Sequence, residues 1–174
     1  MLSSAAGEDA TSNGSGLHLA SLLTDPMIQT RVKLDSWGEA VDRVGQLLVR
    51  SGGVEPRYIE AMKRVLTEMG PYAVIAPGIV LLHARPEDGV RRPCLAMITL
   101  ATPVPFGHSQ NDPVDLVLAM GAVDKQAHVV ALQELARLLM DQATLQRIRS
   151  ATDRRGVLTA IEAWGGVSLT SGGG

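Results

Sequence analysis

The sequence of 174 residues is poor in aromatic side chains, with two tryptophans, two tyrosines and one phenylalanine. Its core must therefore be built from Leu, Val, Ile, Ala and Met, and it lacks the stacking platforms that grip single-stranded nucleic acid. Positive charge is in short supply too. Sixteen Lys and Arg stand against eighteen Asp and Glu, which offers no electrostatic attraction to a phosphate backbone. A single cysteine, Cys94, excludes an internal disulfide and a cysteine-rich metal site. Its apolar setting, CLAMITL, suits a buried, inert thiol better than a reactive one. No apolar run approaches the roughly 20 residues of a membrane span. The opening residues, MLSSAAGEDATSNGSG, have neither the basic start nor the long apolar centre of a secretory signal. The histidines His18, His83, His108 and His128 form no HxH or HxxxH pair. Neither a glycine-rich nucleotide loop, a GxSxG elbow nor a CxxC motif occurs. The expectation is a soluble, cytoplasmic protein that binds no nucleic acid and uses no metal or cofactor.

What is present is a globular balance of apolar and charged residues in one composition regime. Residues 1–16, rich in Ser, Gly and acids, read as a disordered leader, 17–164 as one domain, and 165–174, GGVSLTSGGG, as a flexible tail. After Ser36, a good N-cap, apolar residues recur at Trp37, Ala40, Val41, Val44, Leu47 and Leu48, the spacing of a helix that Gly52-Gly53 ends. Pro56 suits the first turn of a second helix, whose buried stripe is Tyr58, Ala61, Met62, Val65, Leu66 and Met69. The runs AVIAPGIVLLHAR, CLAMITL and PVDLVLAMGAV then read as strands buried on both faces. Helical periodicity returns from Asp124 to Asp141, with shorter segments near 143–150 and 154–164. This succession predicts an α+β fold, a three-layer α/β/α sandwich with a central mixed β-sheet flanked by helices.

Chemistry is most legible in PGIVLLHARPEDG, residues 77–89, where an apolar strand delivers His83 to the start of a turn. A neutral imidazole can attack phosphorus or an acyl carbon, act as a general base or bind a metal. It can equally do no more than hydrogen-bond at a strand end. His128, near the start of the helix after Asp124, either assists such a group or sits on the helix's inner stripe, and the spacing of 45 residues from His83 does not decide which. Asp124 reads as that helix's N-cap. His108, in FGHSQNDPVD, reads as a solvated loop residue, and His18 as incidental. Arg137, Arg147, Arg149, Arg154 and Arg155 read as a solvated helix face rather than a docking patch.

Taken together, VEPRYIEAM, GPYAVIAPGI, LHARPEDGV, PVPFGHSQNDPVDLVLAMGAVD and the H-x3-L-x2-LA stretch closely resemble the enzyme IIA domain of the bacterial phosphoenolpyruvate-dependent sugar phosphotransferase system (PTS). The branch is the mannitol/fructose-like, type-2 superfamily, and within it the ascorbate-type members. LLTDPMIQ and DSW-x-EAV extend the likeness, which runs from about Leu17 to Ile161. The resemblance implies that His83 accepts a phosphoryl group on Nε2 from phospho-HPr and passes it to a cysteine of enzyme IIB, while the membrane enzyme IIC carries the sugar. It implies that His128 is the second active-site histidine. Arg85 is then either a residue that biases charge or docking, or an ordinary turn residue paired with Glu87 or Asp88.

One departure stands out. Many relatives carry Pro before the phosphorylated histidine, where this chain has Leu82, and losing a ring that fixes φ and removes a donor bears on the approach to His83. That departure keeps open a binding protein without phosphoryl chemistry, and a regulatory module that senses phosphorylation stands separately as an alternative to transport.

Overall fold

The structure is a computed structural model that describes residues 19–170, with side chains described as far as Gly165. The leader expected at 1–16 and His18 lie outside the described residues. A short helix, α1 (Leu19–Leu22), precedes strand β1 (Ile28–Val32). Two long helices follow, α2 (Trp37–Arg50) and α3 (Arg57–Met69), then strands β2 (Val74–Ala76), β3 (Ile79–Leu82), β4 (Cys94–Val104) and β5 (Val114–Gly121). The chain ends in α4 (Lys125–Met140), α5 (Gln142–Ser150) and α6 (Arg154–Thr170). β1, whose segment IQTRV holds three consecutive polar residues between Ile28 and Val32, has no counterpart in the apolar pattern of the sequence.

The sheet order is β1-β4-β5-β3-β2. β1 runs parallel to β4 and β3 parallel to β5, whereas β4–β5 and β2–β3 are antiparallel, so the sheet is mixed as expected. Because strand side chains alternate with period two, the apolar runs divide between two cores. Val80, Leu82, Ala96, Ile98, Val117 and Ala119 face the layer of α2 and α3. Ile79, Leu81, Leu95, Met97, Leu116 and Leu118 face the layer of α1, α4, α5 and α6. Strands covered on both faces read as unbroken apolar runs, which is why the sequence showed them so clearly.

Helix ends follow the chemistry of their caps. Ser36 accepts from the Glu39 N–H at 3.2 Å, and Asp141 accepts from Thr144 at 3.2 Å. α6 carries its helical backbone through residues 165–170 of the stretch expected to be a tail. Among the C-terminal arginines, Arg149 is half-buried and departs from the solvated face expected of it, while Arg154 stays exposed and makes a surface pair. Arg149 donates to Asp115 Oδ1 at 3.0 Å and to the Pro77 carbonyl at 2.9 Å, tying α5 to the start of β5, and Arg154 meets Asp25 at 3.3 Å. A helix surface read alone cannot show that an acid from a strand 34 residues away packs against it. Arg137, Arg147 and Arg155 are exposed, as expected.

The layer of α2 and α3 packs closely through Gly45. A Cβ there would lie 2.7 Å from Ile59 Cγ1 on the facing helix. Gly45→Val is therefore expected to lower stability by about 1–3 kcal/mol through overpacking, read as a lower urea midpoint. An unchanged midpoint would mean that the two helices can separate without loss.

Candidate functional site

β3 and β5 run parallel with Leu82 opposite Ala119, so both strands release the chain at the same end of the sheet. β3 opens directly into His83. β5 ends at Gly121, and the chain passes through Asp124 into α4, whose first turn carries His128. The Asp124 carboxylate accepts from the Ala127 N–H at 2.8 Å, the expected N-cap. These two exits bring His83 and His128 together, with ring centroids 5.1 Å apart and planes tilted by 53°. The pairing that sequence spacing left undecided is made by strand topology.

Both imidazoles are partly buried. His83 Nδ1 is covered by protein and meets no hydrogen-bond partner, which leaves Nε2 as the nitrogen on the open side. Burial is the main cause of a lowered His83 pKa, because desolvation penalises the imidazolium, and the neighbouring His128 adds to the lowering. The Leu81 carbonyl opposes both without reaching hydrogen-bond geometry. A neutral ring with a free Nε2 lone pair is a nucleophile rather than a cation.

The pair opens into a depression of about 460 Å³ bounded by Val65, Met69, Arg85, Lys125, His128 and Val129. Lys125 and the N-terminal end of α4 add positive character there. Lys125 escaped the reading of the sequence, whereas Val65 and Met69 were read as part of the buried stripe of α3. Val65 is only half-buried and Met69 is 63% exposed, because the last turn of α3 runs out along the depression instead of under the sheet. Arg85 stands at the rim. It borders the depression, yet its Nε lies 3.6 Å from Asp88 and 3.7 Å from Glu87, within the turn itself. With 76% of its side chain exposed, that bridge adds little stability. The turn closes through the 3₁₀ segment Pro86–Asp88 to Gly89, whose φ of 128° suits glycine.

Leu82, in place of the common proline, is fully buried and continues the β3 ladder opposite Ala119. His83 reaches His128 with leucine in that place. His108 lies at the opposite end of the sheet, in the loop before Val114, where its Nδ1 accepts from the Gln110 and Asn111 N–H groups at 3.1 and 3.0 Å. It is a loop-shaping residue remote from the pair. Cys94 is buried, and burial pushes its thiol up to about 11, as an inert core thiol requires. Among the described residues, no group of three or more His, Cys, Asp or Glu is placed to hold a metal ion.

The lowered His83 pKa ties stability to pH. In the unfolded chain the ring takes up a proton near its ordinary value of 6.5, and in the folded chain only at lower pH. Between these values the unfolded state binds more protons, so stability falls as pH falls. The denaturant midpoint is expected to drop between pH 7 and pH 5, and to drop less in His83→Gln. Equal declines in the two proteins would show that the fold does not hold His83 neutral.

Residues 21–164 match the family described as phosphoenolpyruvate-dependent sugar phosphotransferase system, EIIA 2. The chain is 38% identical over 143 residues to the ascorbate-specific PTS system EIIA component of Salmonella typhi, a match covering 82% of this chain and 93% of that protein. The component of the same name from Escherichia coli K12 is 37% identical with the same coverage. Among solved structures, the mannitol-specific cryptic phosphotransferase enzyme IIA of Escherichia coli matches with a TM-score of 0.75 at 27% identity, over 83% of this chain and 98% of its own. With the family matched over most of its length, and relatives of that family at this identity, the chain belongs to the EIIA 2 family of the phosphoenolpyruvate-dependent sugar phosphotransferase system.

Proposed function

We propose that this protein is a cytoplasmic phosphocarrier that accepts a phosphoryl group from phospho-HPr on His83 and hands it to a cysteine of enzyme IIB, during uptake of ascorbate or a related sugar through the membrane enzyme IIC. The observation that carries the reading is the juxtaposed pair of imidazoles, 5.1 Å apart, at the mouth of an open depression. The ascorbate assignment rests on the names of the relatives.

In the acceptance step the Nε2 lone pair of neutral His83 forms a bond to phosphorus, while the donor's nitrogen–phosphorus bond breaks and its electron pair returns to the donor imidazole. Attack through Nε2 requires the ring proton to sit on Nδ1, the covered nitrogen. Discharge runs in the same sense, as a thiolate of enzyme IIB attacks phosphorus and His83 recovers its lone pair. Phosphohistidine is already reactive, so alignment of donor and acceptor and stabilisation of the equatorial oxygens supply most of the catalysis. His128 is placed to donate to those oxygens, with Lys125 and Arg85 adding positive field at the rim. Apolar side chains beside the pair suit a transient protein partner. Met69 is 63% exposed and Val129 49% exposed, and both border the depression. No helix among the described residues is long and apolar enough to cross a membrane, and the reading leaves the membrane step to enzyme IIC.

Incubation with phosphoenolpyruvate, enzyme I and HPr is expected to leave acid-labile phosphate on the wild type and none on His83→Ala. Equal labelling of the two would remove His83 from the role, and no labelling of either would leave a binding module without phosphoryl chemistry. His128→Ala is expected to accept phosphate still, but to transfer it about a hundredfold more slowly, the scale of losing one donor to a developing charge. Arg85→Ala should change the rate by a few-fold at most, as befits an exposed rim charge. Adding the cognate enzyme IIB separates transport from regulation, since a phosphorylated protein that never discharges would be a sensor.

A further inference from the structure

Tyr58 was legible in the sequence only as part of the buried stripe of α3, yet its hydroxyl lies between the two segments that carry the histidines. The side chain is fully buried. Its hydroxyl donates to the Met120 carbonyl at 2.7 Å and accepts from the Ala84 N–H at 2.9 Å. Ala84 directly follows His83. Met120 is the penultimate residue of β5, which leads through Asp124 to His128. One phenol thus spans the backbone leaving β3 and the backbone leaving β5, at the point where ladder pairing between them has ended with Leu82 and Ala119. Burial pushes the Tyr58 pKa upward, so the phenol remains a neutral donor. Neighbouring groups reinforce the same turn from outside. The Glu55 N–H donates to the Gly89 carbonyl at 2.8 Å, and Arg57 Nη1 donates to the Glu87 carbonyl at 3.0 Å.

We propose that Tyr58 is a positioning residue of the phosphoryl-transfer site, its buried hydroxyl fixing the separation of His83 and His128 by bridging the chain segments that bear them. The kinetic part of this inference rests on the phosphocarrier reading, whereas the geometric part stands on the hydrogen bonds alone. Without the hydroxyl, the Ala84 N–H and the Met120 carbonyl lose their partner in a largely buried place. The turn must then shift to satisfy them and carry His83 with it. In-line transfer is sensitive to such a shift, because misplacement by about 1 Å can cost on the order of a hundredfold in rate.

The test compares wild type, Tyr58→Phe and Val157→Ala, the last a core truncation in the opposite layer that controls for general loss of stability. The first readout is imidazole NMR with no phosphotransferase protein present. In Tyr58→Phe the inter-ring contacts between His83 and His128 should weaken, and the His83 pKa should rise toward its ordinary value as water reaches the ring, with Val157→Ala unchanged in both. The groups facing His83 across the depression, His128, Asp124, Lys125 and Arg85, are the same in all three proteins. The second readout is transfer from phospho-HPr, where Tyr58→Phe should lose about ten- to a hundredfold in kcat with KM held within about twofold. Inter-ring contacts, His83 pKa and kcat all matching those of Val157→Ala would overturn the proposal. If the wild type itself is not labelled, the phosphocarrier reading fails while the imidazole spectra still decide the positioning role. Should Tyr58→Phe not fold, hydrogen exchange of the wild type decides instead. A slowly exchanging Ala84 amide supports the bridge, and one exchanging at the rate of an unprotected loop amide overturns it.

Discussion

The site depends on the parallel pairing of β3 with β5. Two strands in that relation must release the chain at the same end of the sheet, and here the first release is His83 and the second leads to His128. Had the two strands been antiparallel, one histidine would lie at each end of the sheet. The pairing is in turn held by burial on both faces. Val80 and Leu82 pack against the layer of α2 and α3, and Ile79 and Leu81 against the layer of α1, α4, α5 and α6. Slipping the register by one residue would exchange these sets and misplace every one of them, so the position of the histidine pair inherits its precision from the cores on either side.

The electrostatics follow from that placement. A histidine at a strand end inside a three-layer fold is partly withdrawn from water, and withdrawal favours the neutral ring. His128 pushes in the same direction because two imidazolium charges so close would repel. Neutral His83, covered at Nδ1, presents Nε2 on the open side, the nitrogen through which the proposed phosphoryl transfer would run. The positive groups stand at the rim: Lys125 at the start of α4 and Arg85 within its own turn. There, on the proposed phosphocarrier reading, they would favour the approach of a phosphorylated partner without lying on the ring itself.

Leucine in place of proline before His83 is accommodated by the same logic. A proline there restricts the backbone covalently, whereas Leu82 is restricted by its ladder pairing with Ala119 and by complete burial. Constraint on the turn beyond it comes from the start of α3 and the residues just before it, where Tyr58, Arg57 and the Glu55 backbone all bond to residues between Ala84 and Gly89. The turn that follows His83 is thereby tied to the start of α3 and the segment before it by three hydrogen bonds.

Much of this protein is written locally in its sequence. The helices from Trp37, Arg57 and Lys125 follow from apolar spacing and from Ser36, Pro56 and Asp124 at their starts, and the doubly buried strands from unbroken apolar runs. His83 at a strand end, the inert Cys94 and the loop setting of His108 were legible for the same reason, since each depends on its near neighbours in the chain. β1 was not, because its segment carries three polar residues in a row between Ile28 and Val32 and takes its place by pairing with β4. Nor were the meeting of His83 with His128, the Arg149–Asp115 tie or the bridge made by Tyr58, which join residues 45, 34 and 62 positions apart. Periodicity and capping describe energies between residues a few positions apart. Contacts across the sheet are set by which strands pair, in which direction and in which register, and that is decided only when both cores close at once.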